Sequence, residues 1–146
     1  MRVSVVGGST VTDREAAVAE AVGREIADRD HELVCGGLGG AMRAACRGAS
    51  EADGHTVGIL PGRDRTAANR YVDTAVATGL GHGRNAMVAL NGDGVVAVDG
   101  GPGTLSEIAL AAVYGRPVAG LSTHDVEYVH AVDSAAAALD YVEEHA

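Results

Sequence analysis

Residues 94–107 read Gly-Val-Val-Ala-Val-Asp-Gly-Gly-Pro-Gly-Thr-Leu-Ser-Glu. Gly94–Val98 is a short valine-rich apolar run, which predicts a strand covered on both faces. Asp99 to Thr104 contain three glycines and a proline, and the spacing then predicts a helix over Leu105–Tyr114 that stops at Gly115. A strand passing through a glycine-rich turn into a helix is the repeating unit of a parallel α/β sheet.

The same unit recurs on both sides. Arg2–Val6 (RVSVV) reads as a first buried strand that ends in Gly7-Gly8-Ser9, and Thr12–Glu15 reads as a capping box opening a helix over Asp13–Asp28. Glu32–Cys35 is a short second strand, followed by Gly36-Gly37-Leu38-Gly39-Gly40 and an alanine-rich helix over Ala41–Ala52. Thr56–Leu60 is a third strand, stopped by Pro61-Gly62. A polar loop then carries Arg63, Arg65 and Arg70. Further strands are expected at Val72–Thr78, Pro117–Leu121 and Tyr128–Val132. Helices are expected from Arg84 to Leu90 and over Ser134–Glu144, the last with Asp133 as N-cap. The expected architecture is α/β, a three-layer, Rossmann-like, mostly parallel sheet with helices on both faces. No repeat, linker or boundary divides residues 1–146, so one domain is expected.

Composition narrows the chemistry. The chain has 146 residues, 47% apolar, with 21 glycines and 4 tyrosines as its only aromatics, so the core must be built from Ala, Val, Leu and Ile. All 11 bases are arginine against 20 acids, a formal charge of −9. The absence of lysine excludes Schiff-base chemistry and a lysine-dependent phosphate loop. The acidic balance argues against a nucleic-acid partner, and no apolar stretch is long enough for a membrane partner. With no signal peptide visible, a cytoplasmic setting is expected. The acid excess suggests adaptation to salt, the alternative being a merely soluble acidic surface. Cys35 and Cys46 match neither a zinc nor a redox spacing and read as small buried residues. No histidine pair has metal-ligand spacing, so neither a metal nor a cofactor is expected.

Three glycine turns at strand-to-helix junctions collect at one edge of such a sheet. There, backbone N–H groups and helix N-termini favour a phosphate. Candidate phosphate or nucleotide contacts are therefore Gly8, Ser9, Gly37, Gly39, Gly40, Gly100, Gly101, Gly103 and Thr104. The dinucleotide fingerprint fails, because Ser106 and Met42 stand where a third glycine belongs. Thr104 and Glu107 have capping-box spacing, yet Glu107 could equally meet a ribose. Arg84 and Arg43 lie where a helix dipole disfavours a cation, which an anionic ligand or a carboxylate would offset; the alternative for both is a solvated arginine on a loose helix end. The three loop arginines read either as a solvated face or as a cover for an anionic substrate.

Val5–Ser9, Cys35–Met42, Val57–Pro61, Arg84-Asn85 and Gly100–Glu107 together resemble the LOG-like family of nucleoside 5′-monophosphate phosphoribohydrolases, once labelled lysine decarboxylases. The resemblance covers residues 2–121 and is closest to a short prokaryotic branch. Molybdenum-cofactor carrier proteins and DNA-processing Smf proteins share the wider fold. Gly100, Gly101, Gly103, Thr104 and Glu107 match the family motif P-G-G-x-G-T-x-x-E, with Asp99 in place of the proline. Arg84 matches the arginine of an Arg-Lys pair whose lysine is here Asn85. The resemblance implies phosphate binding at Gly101–Thr104, with Arg84 and Glu107 catalytic in hydrolysis of an N-glycosidic bond. It also implies a nucleotide or other phosphorylated small molecule as partner, and a homodimer or larger homo-oligomer. The alternative is a non-catalytic carrier or sensor of a nucleotide or molybdopterin-type phosphate.

Overall fold

The computed structural model describes residues 1–146. Seven strands form one sheet: β1 (Arg2–Gly7), β2 (Glu32–Cys35), β3 (Thr56–Leu60), β4 (Thr74–Ala77), β5 (Gly94–Val98), β6 (Val118–Leu121) and β7 (Val129–Ala131). Their order is β4-β3-β2-β1-β5-β6-β7, and every neighbouring pair is parallel. The helices are α1 (Asp13–Asp28), α2 (Ala41–Glu51), α3 (Arg84–Asn91), α4 (Pro102–Val113) and α5 (Ala135–His145).

Strand alternation sorts the core into two layers. Val3, Val5, Leu33, Cys35, Val96 and Val98 face α1, α2 and α5. Val6, Val34, Val95 and Ala97 face α3 and α4. The result is a three-layer Rossmann-like α/β fold. The one buried polar side chain of β1, Ser4, donates its hydroxyl to the Val88 carbonyl of α3 at 2.7 Å, as a buried hydroxyl requires.

After β2, β3 and β4 the chain returns to the other side of β1 and lays down β5, β6 and β7. The order therefore reverses between β1 and β5, where open α/β sheets form their ligand crevice, beyond the carboxyl ends of the strands.

Several boundaries move from their sequence expectations. Helix α4 starts at Pro102 rather than Leu105, because proline suits the first helical position, where its missing N–H costs nothing. Ser134, not Asp133, caps α5, its hydroxyl accepting the Ala137 N–H at 3.1 Å. The strand expected over Val72–Thr78 shortens to Thr74–Ala77, as the Val72 N–H bonds locally to the Asn69 carbonyl. The Thr12–Glu15 capping box forms as expected. No helix is long and apolar enough to cross a membrane.

Candidate functional site

A cleft of about 430 Å³ opens at the β1–β5 reversal. Gly7, Gly8 and Ser9 at the end of β1 line it, together with Gly101, Pro102, Gly103 and Thr104 at the start of α4. Arg84, Asn85 and Glu107 reach in from α3 and α4. Of the sequence candidates, Gly8, Ser9, Gly101, Gly103, Thr104, Arg84 and Glu107 thus come together on one surface. Gly37, Gly39, Gly40 and Gly100 do not line it. Gly37 packs against Leu60 and Gly58, Gly40 against the backbone of Gly8 and Ser9, and Gly100 against the Thr104 side chain. The Ala41 N–H donates to the Gly8 carbonyl at 2.9 Å, which locks the first two turns together.

Arg84 is the first residue of α3 and is 8% exposed. It is therefore a buried cation at the helix end where the dipole opposes it. Glu107 offsets the charge, with Nη1 to Oε1 at 3.7 Å. Arg84 Nη1 also donates to Asn85 Oδ1, and Nη2 donates to the Gly36 carbonyl at 3.4 Å. Its Nε is buried with no acceptor. Gly36 leaves room for this arrangement, because a Cβ there would sit 2.7 Å from Arg84 Nη2 and 2.7 Å from Met42 Sδ.

Glu107 lies in the second turn of α4, since the helix begins five residues before it with Gly101 as N-cap. This removes the Thr104–Glu107 capping reading. Thr104 is inside the helix and no side chain caps it. Glu107 is buried and carries no hydrogen bond, and its carboxyl is pushed up to about 7. Burial is the larger cause, and the Arg84 charge opposes it. Such a group changes charge near neutrality, which suits proton transfer or charge stabilisation.

Asn85 links the two helices. Its Nδ2 donates to Ser106 Oγ at 3.2 Å, and Ser106 Oγ donates to the Gly103 carbonyl at 2.6 Å. A continuous chain thereby runs from Arg84 through Asn85 and Ser106 to the glycine turn.

The other arginines lie elsewhere. Arg43 is exposed, 5.8 Å over the Tyr71 ring beside a separate groove. Arg63, Arg65 and Arg70 are exposed and do not line the cleft. Lining residues that the sequence reading missed include Gly36, Leu38, Met42, Pro61 and His82. Gly36 and Pro61 each follow the last residue of a strand, so the topology was their signal. Leu38 and Met42 belong to the Cys35–Met42 stretch that carries the family resemblance, whereas His82 had no signal.

The model of the SLOG cluster4 family matches residues 1–146. An uncharacterized protein of Archaeoglobus fulgidus is 40% identical over 121 residues, 83% of this chain and 80% of its own length. A cytokinin riboside 5′-monophosphate phosphoribohydrolase of Arabidopsis thaliana is 31% identical over 128 residues, 80% of this chain. The match spans only 56% of that plant protein. Among solved structures, the molybdenum cofactor binding protein of Rippkaea orientalis superposes with a TM-score of 0.91 at 33% identity, over 98% of this chain and 95% of that one.

Proposed function

The chain belongs to the SLOG cluster4 family, and from that premise we propose that its cleft binds a phosphorylated small molecule of nucleotide or pterin type. The phosphate would rest on Gly101–Thr104 and the start of α4, with Gly8 and Ser9 lining the same cleft and Gly37, Gly39, Gly40 and Gly100 shaping the turns. One observation carries the reading. Arg84 is a buried cation with an unpartnered Nε, on the same cleft as a helix N-terminus that no side chain caps. Buried donors without acceptors are costly, and free N–H groups with a helix dipole favour an anion.

Carriage without turnover is the better-supported form. The likeness to a molybdenum cofactor binding protein extends over nearly the whole of both chains. Where the LOG-like pattern has a lysine, Asn85 is held between Arg84 and Ser106 and adds no charge to the cleft. Apolar side chains exposed on α3 and α4 (Met87, Leu90, Leu105 and Val113) support a homodimer built on that face.

Glu107 favours a second reading, hydrolysis of a nucleoside 5′-monophosphate. As the N-glycosidic bond breaks, its electron pair leaves with the base and positive charge develops on the sugar. Ionised Glu107 would stabilise that charge, take a proton from the attacking water and return it to the departing base, giving free base and ribose 5-phosphate. Arg84 would hold Glu107 in place, and the distant phosphate would supply the binding energy for orientation.

The test uses a panel of nucleoside 5′-monophosphates in molar KCl, with calorimetry for binding and chromatography for free base. Saturable binding without base release is the expected result. Release that vanishes in Glu107→Gln establishes the hydrolase instead. Absence of binding to every phosphate ester overturns the proposal.

A further inference from the structure

Cys35 closes β2 and Cys46 lies midway along α2, and both are fully buried free thiols. The fold brings their Sγ atoms to 3.4 Å. Cys35 immediately precedes Gly36, whose carbonyl accepts Arg84 Nη2 at 3.4 Å. The pair therefore lies just beneath the cleft, at the foot of its buried cation.

The two sulfurs are not equivalent. Cys35 Sγ accepts the Gly37 N–H at 3.3 Å, a backbone contact that Cys46 Sγ lacks, and either thiol can donate to the other. The Cys35 thiol is held below its ordinary range, chiefly by the Cys46 hydrogen bond and further by the Gly37 N–H and the Arg84 charge. Cys46 is pushed up by that same contact and by burial. Cys35 is thus the attacking sulfur, since the thiolate is the nucleophile.

We propose that Cys35 and Cys46 form a peroxide-reactive pair whose disulfide shifts Gly36 and weakens the hold on Arg84. The Cys35 thiolate attacks one oxygen of hydrogen peroxide and the O–O bond breaks. The departing hydroxide takes up the proton that Cys35 released, leaving water and a sulfenic acid. Cys46 sulfur then attacks Cys35 sulfur, the S–O bond breaks, and the hydroxyl leaves as water with the Cys46 proton. Two thiols and one peroxide become a disulfide and two waters. Closing the sulfurs from 3.4 Å to about 2.05 Å pulls on the end of β2. The effect on ligand binding rests on the phosphate reading of the cleft, whereas disulfide formation does not.

Fully reduced, folded protein is treated with hydrogen peroxide, quenched with catalase, denatured and alkylated, and its intact mass is measured. The expected product is lighter by two hydrogen atoms and takes up no alkylating agent. In Cys46→Ala, the reaction is expected to stop at a sulfenic acid on Cys35 that dimedone traps. In Cys35→Ala, Cys46 is expected to remain alkylatable. Two alkylatable thiols in the folded wild type, after an exposure that oxidises the denatured chain, overturn the pair. Adenosine 5′-monophosphate titrated into reduced and oxidised protein tests the link to the cleft. Binding lost on oxidation and regained with dithiothreitol supports it, and equal binding in both forms overturns it. Reduced protein that binds no phosphate ester sinks the phosphate reading, while the mass measurement still decides the pair.

Discussion

Gly36 has no side chain, and the Arg84 guanidinium and Met42 thioether occupy the space that one would need. Both are the far ends of long side chains, but Arg84 is buried and paired with Glu107, so Gly36→Ala is expected to lower folding stability by roughly 1–3 kcal/mol. It is expected to dislodge Arg84 and weaken phosphate-ester binding roughly tenfold, the worth of one charge-assisted hydrogen bond, as calorimetry against urea melts would show. Glu107 makes a second prediction. Its folded-state value of about 7 exceeds the ordinary 4.5. The folded protein therefore holds a proton that the unfolded chain has lost between these values, and stability falls as pH rises from about 4.5 through about 7. Full ionisation costs on the order of 3 kcal/mol. Glu107→Gln is expected to leave the melting temperature at pH 4 nearly unchanged and to raise it at pH 8. A pH-independent difference between the two proteins refutes the shift. The sequence singled out Glu107 by motif. Its titration near neutrality was not legible there, because burial by residues distant in sequence causes it.

At the scale of elements, the closest packing is between α1 and α2. A Cβ on Gly23 would overlap the Ala45 carbonyl, and one on Gly48 would overlap the Glu20 carbonyl, so the two backbones touch through reciprocal glycines. Helix propensity alone favours Gly48→Ala by about 1 kcal/mol. Here the backbones would have to part, so the substitution is expected to destabilise by roughly 1–3 kcal/mol instead. Urea denaturation gives the sign directly. Both helices were legible from periodicity and alanine content, but which glycines the packing needs was not, since a glycine within a helix reads as a weakness until its partner is known. The start of α4 has the same character. Thr104 and Glu107 fit a capping box by spacing, while Pro102 at the first helical position fits equally well. The second arrangement is the one that turns Glu107 toward the cleft.

Across the whole molecule, six acids (Glu25, Glu32, Glu51, Glu107, Asp140 and Glu143) pair with arginine. The others among the 20 form no ion pair with arginine and contribute to a net charge of −9. Salt screens such repulsion. The melting temperature is expected to rise by roughly 3–8 °C between low and molar KCl, and equal melting at both ends refutes salt adaptation. Arg29, which caps the end of α1, is the long-range tie, joining Glu25 of α1 to Asp140 and Glu143 of α5 at 2.8 Å each. By itself the sequence determined the alternation of strands and helices, the parallel three-layer class and the glycine turns, because these follow from local periodicity and backbone freedom. Arg84 and Glu107 were marked by motif as well. Long-range packing fixed the reversal of strand order between β1 and β5, the burial of Arg84 on Gly36 and the bridge that Asn85 makes from α3 to α4. It alone set the cysteine that closes β2 and the one within α2 3.4 Å apart. Those facts depend on contacts between residues far apart in the chain, which no local pattern encodes.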